Sequence, residues 1–216
     1  MLYLPDPDNL TPIDHYWIGY FRADGSLSNG GGQFGQIHRE PVEAFVQYLG
    51  LPVERVKAYK NSSVKSKDYW VYSMGYTAIG RVYRSMGVKS QLQDSSLYHS
   101  PHFWRGMVDG DGSISKPSAR TQSLSLCGNF EDVTKFAEFL EPHVGLLSTV
   151  FPVKSIFVTR VWGDRAKTAA CVLYKDQFSA LLYKRQLAEL LINMSYSDRY
   201  LRNAGILQDD IGVVPT

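Results

Sequence analysis

The 216-residue chain is 44% hydrophobic with a formal net charge of only +2, which suits one large or two small globular domains and says little by itself about an anionic partner. No apolar run approaches the roughly 20 residues that span a bilayer, and Met1 to Asp8 carries prolines and acids where a signal peptide has a basic stretch. The two cysteines, Cys127 and Cys171, read as reduced core thiols of an intracellular protein, in cytoplasm, nucleoid or organelle matrix and not secreted.

In chain order, residues 13 to 24 predict an apolar helix that Gly25 stops. Leu27 to Arg39 predicts a hairpin, with Asn29-Gly30-Gly31-Gly32 as its turn. Pro41 to Leu49 predicts a helix, because Val42, Phe45, Val46 and Leu49 fall on one face. Val53 to Lys60 and Tyr69 to Met74 are rich in β-branched and aromatic residues and predict strands. Thr77 to Met86 predicts a short helix ended by Gly87, and Gln91 to Ser100 is a polar linker. Trp104 to Asp111 predicts a second helix end, Ser113 to Ser118 and Gln122 to Cys127 a hairpin, and Phe130 to Leu140 a helix. Phe151 to Trp162 and Ala169 to Tyr174 predict strands, Asp176 to Met194 a long helix and Ser197 to Ala204 another. The order αββαββα therefore occurs twice, giving a first half at 1–90, a linker at 91–100 and a second half at 101–216.

The repetition is also literal. Residues 17 to 28, WIGYFRADGSLS, align without a gap with residues 104 to 115, WRGMVDGDGSIS. The offset grows from 87 at this segment to 91 between Phe45 and Phe136 and 100 between Tyr83 and Tyr183, which places extra residues in the two hairpins of the second half. Each copy sets small residues four apart, Gly19 and Ala23, then Gly106 and Gly110. On a helix these share a face and let a second backbone approach closely. The simplest use is the two repeated helices packing on each other, with their C-termini together.

Asp24 and Asp111 then fall at helix C-termini, where the dipole disfavours an anion by about 0.3–1 kcal/mol, and beside each other they repel. A lone Asp-Gly-Ser is an ordinary turn. Two, each closing an apolar helix with small residues in register, call for a compensating cation. Carboxylates with the last-turn carbonyls of Ala23 and Gly110 make a hard oxygen donor set suited to Mg²⁺, Mn²⁺ or Ca²⁺. An EF-hand loop at Asp109 to Ser113 is excluded, because Ile114 and Arg120 stand where it needs Gly and Glu.

These two segments, with the matching order of elements behind each, resemble the LAGLIDADG motif, and nearly the whole chain resembles a double-motif LAGLIDADG homing endonuclease. The resemblance implies an α+β fold. Two pseudo-twofold-related αββαββα halves would carry a DNA-binding saddle of antiparallel sheets and meet at a central two-helix interface lined by Gly19, Ala23, Gly106 and Gly110. It implies that Asp24 and Asp111 bind catalytic metal, helped by the carbonyls of Ala23 and Gly110. Arg22 departs from the motif's usual Asp, which Asp109 keeps. Further polar groups around the metals are implied at strand ends; aligned so, they are His38 and Asn129 at one place and Lys175 at the other, with Gly75 opposite Lys175.

The function implied is a monomeric, site-specific double-strand DNA endonuclease that uses Mg²⁺ and leaves 3′ overhangs at a long asymmetric target. Mn²⁺ is expected to substitute, and Ca²⁺ to bind without supporting cleavage. Two basic stretches fit a DNA partner: residues 55 to 67 hold no acid, and Lys154, Arg160, Arg165 and Lys167 face a single one between residues 154 and 167. The expected DNA contacts are Gln33, Gln36, His38, Arg39, Lys57, Tyr59, Lys60, Lys65, Lys67, Tyr72, Lys116, Arg120, Gln122, Ser123, Lys154, Arg160, Arg165 and Lys167, Arg and Gln reading bases and Lys holding phosphates. Which alternate residues face DNA depends on strand register. The rival reading is a nucleic-acid-binding protein on the same scaffold, an RNA-splicing maturase or a transcription regulator, needing no metal pair.

Overall fold

The computed structural model describes residues 2–28, 31–60, 68–73, 78–115, 122–145, 149–176 and 181–194. In chain order, α1 (Pro12–Asp24), β1 (Gly25–Ser28), β2 (Gly31–Gln36), α2 (Arg39–Tyr48), β3 (Lys57–Lys60), β4 (Asp68–Ser73) and α3 (Ala78–Ser85) form one αββαββα run. The second run is α4 (Pro101–Asp111), β5 (Gly112–Ile114), β6 (Ser123–Gly128), α5 (Phe130–Val144), β7 (Val150–Val153), β8 (Ile156–Trp162) and α6 (Asp164–Tyr174), followed by α7 (Leu182–Asn193). Each run makes a four-stranded antiparallel sheet, ordered β1-β2-β4-β3 and β5-β6-β8-β7. The chain forms two compact units, 1–112 with 178–181 and 113–177 with 182–216. No helix among the described residues is long and apolar enough to cross a membrane.

α1 begins at a capping box. The Asp14 N–H donates to Thr11 Oγ1, the Thr11 N–H returns a bond to Asp14 Oδ2 at 2.8 Å, and Pro12 supplies the first turn. Asp14 is fully buried and also accepts from the hydroxyls of Tyr3 at 2.9 Å and Tyr48 at 2.5 Å, so its charge is matched by donors on every side. Below it lies an aromatic core. Phe34 meets Phe45 at a centroid distance of 4.7 Å, Phe21 meets Tyr83 at 4.8 Å, and Trp17 stacks on Tyr20 at 5.9 Å.

That core carries a pH dependence. Burial pushes the Tyr48 and Tyr83 hydroxyls well above the ordinary tyrosine value of 10.0, with Tyr83 adding to the shift at Tyr48 and the Asp14 charge to both. Folded-state values raised in this way give stability that is complete below pH 10 and lost as the pH rises, because the unfolded chain releases these protons first. Melting curves should therefore be flat from neutrality to about pH 9.5 and fall steeply above pH 10. A tyrosine absorbance titration that shows Tyr48 and Tyr83 ionising near pH 10 in the folded protein would contradict this.

The close approach of α1 and α4, both in the first unit, depends on glycine. A Cβ on Gly19 would lie 2.1 Å from the Phe103 carbonyl oxygen, and one on Gly106 2.1 Å from the Tyr16 carbonyl oxygen. The small-residue face read from the sequence is thus the place where two helix backbones touch.

Several elements differ from the sequence expectation. Residues 151 to 162 are not one strand but the hairpin β7–β8, turned by Lys154 and Ser155, with Lys154 at a φ of 54°. Residues 169 to 174 are not a strand but lie in helix α6, where Ala166, Ala169, Ala170 and Leu173 form the buried stripe. The counterpart of α3 is therefore α6, and the β7–β8 turn is shorter than the segment 61–67 between β3 and β4. Extra residues in the second half fall between β5 and β6 alone of the two hairpins. Val53–Arg55 is a 3-10 turn ahead of β3. The glycine turn at Asn29-Gly30 and the expected helix at Ser197 to Ala204 lie outside the described residues.

Candidate metal and nucleic-acid site

α1 closes on Asp24 and α4 on Asp111, and each chain then turns directly into the first strand of its sheet. The following glycines, Gly25 and Gly112, are extended, not left-handed. They are needed for space instead: a Cβ would lie 2.5 Å from the Phe21 carbonyl oxygen at Gly25 and 2.6 Å from that of Val108 at Gly112. Each glycine N–H donates to that same carbonyl and ends its helix.

The two motif ends touch. A Cβ on Gly110 would lie 2.3 Å from the Ala23 Cβ and 2.7 Å from Asp24 Oδ2, so the Asp24 carboxylate rests on the residue that precedes Asp111. Both acids are half-buried. The Gln36 amide, at the end of β2, donates to Asp24 Oδ2. Tyr69 lies across Gly35, whose added Cβ would meet its ring at 2.7 Å. Burial, and secondarily the Asp24 charge, raises the Tyr69 hydroxyl above its ordinary value.

The departure at Arg22 has a structural use. Its guanidinium donates to the carbonyls of Val88 at 2.8 Å and Ser90 at 3.0 Å. The matching Asp109 accepts from the Leu181 N–H at 2.7 Å and the Tyr16 hydroxyl at 2.9 Å. Each residue thus tethers the segment that follows the last helix of its own repeat, one as donor and the other as acceptor. Replacing Arg22 by Met keeps the stem but strands two carbonyls, and should cost about 2 kcal/mol in a urea melt. An unchanged midpoint would show that the tether carries no stability.

The carbonyl end of α1 is also occupied. Lys89 Nζ donates to the Arg22 carbonyl at 2.6 Å and lies 3.4 Å from that of Ala23. Among the described residues no three His, Cys, Asp or Glu side chains gather at one point. The oxygen donors at the two helix ends are the carboxylates of Asp24 and Asp111 with the carbonyls of Ala23 and Gly110, an all-oxygen set of the kind a hard divalent cation would take.

The other expected site residues scatter. His38 is exposed at the start of α2, making no capping bond there. Asn129 caps α5, accepting from the Asp132 N–H at 2.8 Å and donating to its carboxylate at 2.7 Å, so its polar atoms serve the helix. Lys175 is exposed just past α6 and not at a strand end, because residues 169 to 174 are helical. Gly75 lies outside the described residues. Gln36 and Tyr69, beside Asp24, were respectively expected as a DNA contact and not expected; strand register, which pairs Gln36 with Trp70, is the signal that brings Tyr69 alongside.

Register also sorts the expected DNA contacts. In the first sheet Ser26, Gln33 and Ser73 lie in one row and are exposed, and Lys57 is exposed opposite Val71. Tyr72 belongs to the other face: it is 1% exposed and packs on Phe45, so it is core and not a contact. Tyr59 pairs with Tyr69 and Lys60 with Asp68. Arg39 is exposed, paired with Glu43 at 2.6 Å and set over the Trp70 ring at 4.8 Å. In the second sheet Arg160 is exposed and lies over the Trp162 ring at 5.2 Å, opposite Ser125. Lys154 is exposed in the β7–β8 turn. Ser123 is nearly buried, and Gln122 is buried and donates to Met194 Sδ, so neither offers a readily exposed contact. Arg165 and Lys167 are on α6 and not in a hairpin; Arg165 is exposed, and Lys167 donates to the Met194 carbonyl at 3.0 Å. Lys65, Lys67, Lys116 and Arg120 lie outside the described residues.

No protein-family model and no curated protein sequence matches the chain. Solved structures do. The N-terminal LAGLIDADG domain of DUF199/WhiA is similar with a TM-score of 0.54 at 16% identity, over 82% of this chain and 86% of that one. The homing endonuclease I-WcaI bound to its DNA recognition sequence gives 0.57 at 15% identity, over 81% and 86%. I-SmaMI bound to uncleaved DNA target in the presence of calcium ions gives 0.53 at 12% identity, over 92% and 98%. The chain therefore has the LAGLIDADG fold, two αββαββα repeats whose motif helices pack together.

Proposed function

We propose that the protein is a site-specific double-strand DNA endonuclease that works as a monomer inside the cell, with Mg²⁺ as its natural metal. The observation that carries this reading is the Asp24 carboxylate resting on Gly110, next to Asp111, where two helix C-termini meet and both disfavour an anion. Asp24 and Asp111 would hold divalent metal with the carbonyls of Ala23 and Gly110. When bound, such a metal activates water and stabilises the charge on the leaving 3′ oxygen. Gln36 fixes the orientation of Asp24, and Tyr69, over Gly35, stands within reach of its charge. DNA-bound proteins among the similar structures support a duplex as the partner.

The exposed faces of the two sheets are unlike. The first offers Ser26, Gln33, Lys57 and Ser73, the second Phe151, Ile156, Arg160 and Trp162. Unlike faces call for unlike half-sites, so the target is a long asymmetric sequence. Selection of cut sites from a randomised duplex library in Mg²⁺ tests the whole reading. One asymmetric site cut on both strands with 3′ overhangs is expected.

A binding-only protein on the same scaffold, a maturase or regulator, is favoured by one observation: the Lys89 ammonium already stands at the α1 carbonyl end where a metal would bind. Recovery of a defined bound site that is never cut, in Mg²⁺ or Mn²⁺, would decide for it.

A further inference from the structure

Lys89 is held in place from several directions. Gly87 turns the chain at a φ of +70°, and a Cβ there would lie 1.8 Å from the Gln91 carbonyl oxygen. The Ser90 N–H closes the turn on the Gly87 carbonyl at 2.9 Å. Arg22 then grips the carbonyls of Val88 and Ser90, the neighbours of Lys89 on either side. With its backbone fixed at both flanks, Lys89 sends its ammonium to the last-turn carbonyls of α1, at 2.6 Å from Arg22 and 3.4 Å from Ala23. A cation at a helix C-terminus is favourable. Here it also stands at one of the oxygens a metal on Asp24 would use.

We infer that Lys89 is the resident cation of the Asp24 site, holding the α1 carbonyl end in the metal-free protein and competing with the divalent ion for it. This rests on the metal-binding reading above. Two cations on one carbonyl cluster repel, so the ammonium must leave Ala23 for the metal to bind there. Lys89 is thus a positioning residue. It keeps the site assembled without metal and sets the concentration at which metal enters.

The test is calorimetric Ca²⁺ titration of the full-length protein without DNA. Lys89→Met, which keeps the stem and removes the charge, should bind Ca²⁺ about tenfold more tightly, the equivalent of one charge-assisted hydrogen bond. Lys89→Arg keeps the charge and should stay close to the parent protein. Adding Asp24→Asn to Lys89→Met should abolish the gain, which ties it to this site. Melting in EDTA should show the Met variant folded, a few degrees below the parent. Equal or weaker Ca²⁺ binding by Lys89→Met would overturn the inference and leave the nuclease reading standing. Absence of Ca²⁺ binding in parent and variant alike would overturn both.

Discussion

Asp24→Asn and Asp111→Asn should each lower DNA cleavage in Mg²⁺ by about a thousandfold or more, the equivalent of the several kcal/mol that a lost metal ligand represents. Binding of the same duplex in Ca²⁺-free buffer should change little, since neither acid lies on a sheet face. The Asn side chain matches the carboxylate in shape and still accepts from Gln36, so the fold survives. Removing an anion from a helix C-terminus should even raise metal-free stability by about 0.3–1 kcal/mol per site. The paired signature, a more stable protein that binds and does not cut, separates loss of a ligand from loss of structure. Parent-like cleavage by the double variant would end the metal mechanism.

Gly19→Ala and Gly106→Ala should each cost about 3 kcal/mol or more in denaturant unfolding. The usual effect of Gly→Ala inside a helix has the opposite sign, a gain of about 1 kcal/mol. Here the new Cβ would sit 2.1 Å from a carbonyl oxygen of the facing helix. That oxygen is backbone and cannot rotate away, so the helices must separate and open the packed seam around Tyr16 and Phe103. Gly128→Ala is the control, because its Cβ would meet only the Val133 Cγ2 at 3.8 Å. It should stay within about 1 kcal/mol of the parent. If Gly19→Ala behaved like Gly128→Ala, the close approach of α1 and α4 would be wrong.

The repeated motif, its two acids and the small-residue seam were legible in the sequence because they depend on local spacing alone. So were α1, α2 and α5, whose apolar positions recur at helical intervals. The β7–β8 hairpin was not, because its turn is Lys154-Ser155, with a left-handed Lys where Asn or Gly would have announced it. That hidden turn made residues 151 to 162 read as one strand, and residues 169 to 174 then inherited the role of the next one. The alanines of α6 favour helix, but Val172 and Tyr174 pull a short window towards strand. Lys175 was misplaced as a consequence. Tyr72 shows a different limit: a period of two assigns faces only once the register is known. Lys89 could not be found by motif, because it reaches Ala23 from a turn 66 positions away.

The opposite signs of Arg22 and Asp109 bear on how such a chain can change over time. Tyr16 on α1 donates to Asp109 on α4. Were the first repeat to pair with a second copy of itself, Tyr16 would meet Arg22 in that position and its hydroxyl would lose the carboxylate it donates to. A shortened gene encoding the first repeat alone would thus inherit a seam in which the Tyr16 hydroxyl has lost its carboxylate, while Arg22 keeps the Val88 and Ser90 carbonyls. The two repeats are therefore not interchangeable across the seam: the second supplies a carboxylate to the first, and the first has none at that position to give to a copy of itself.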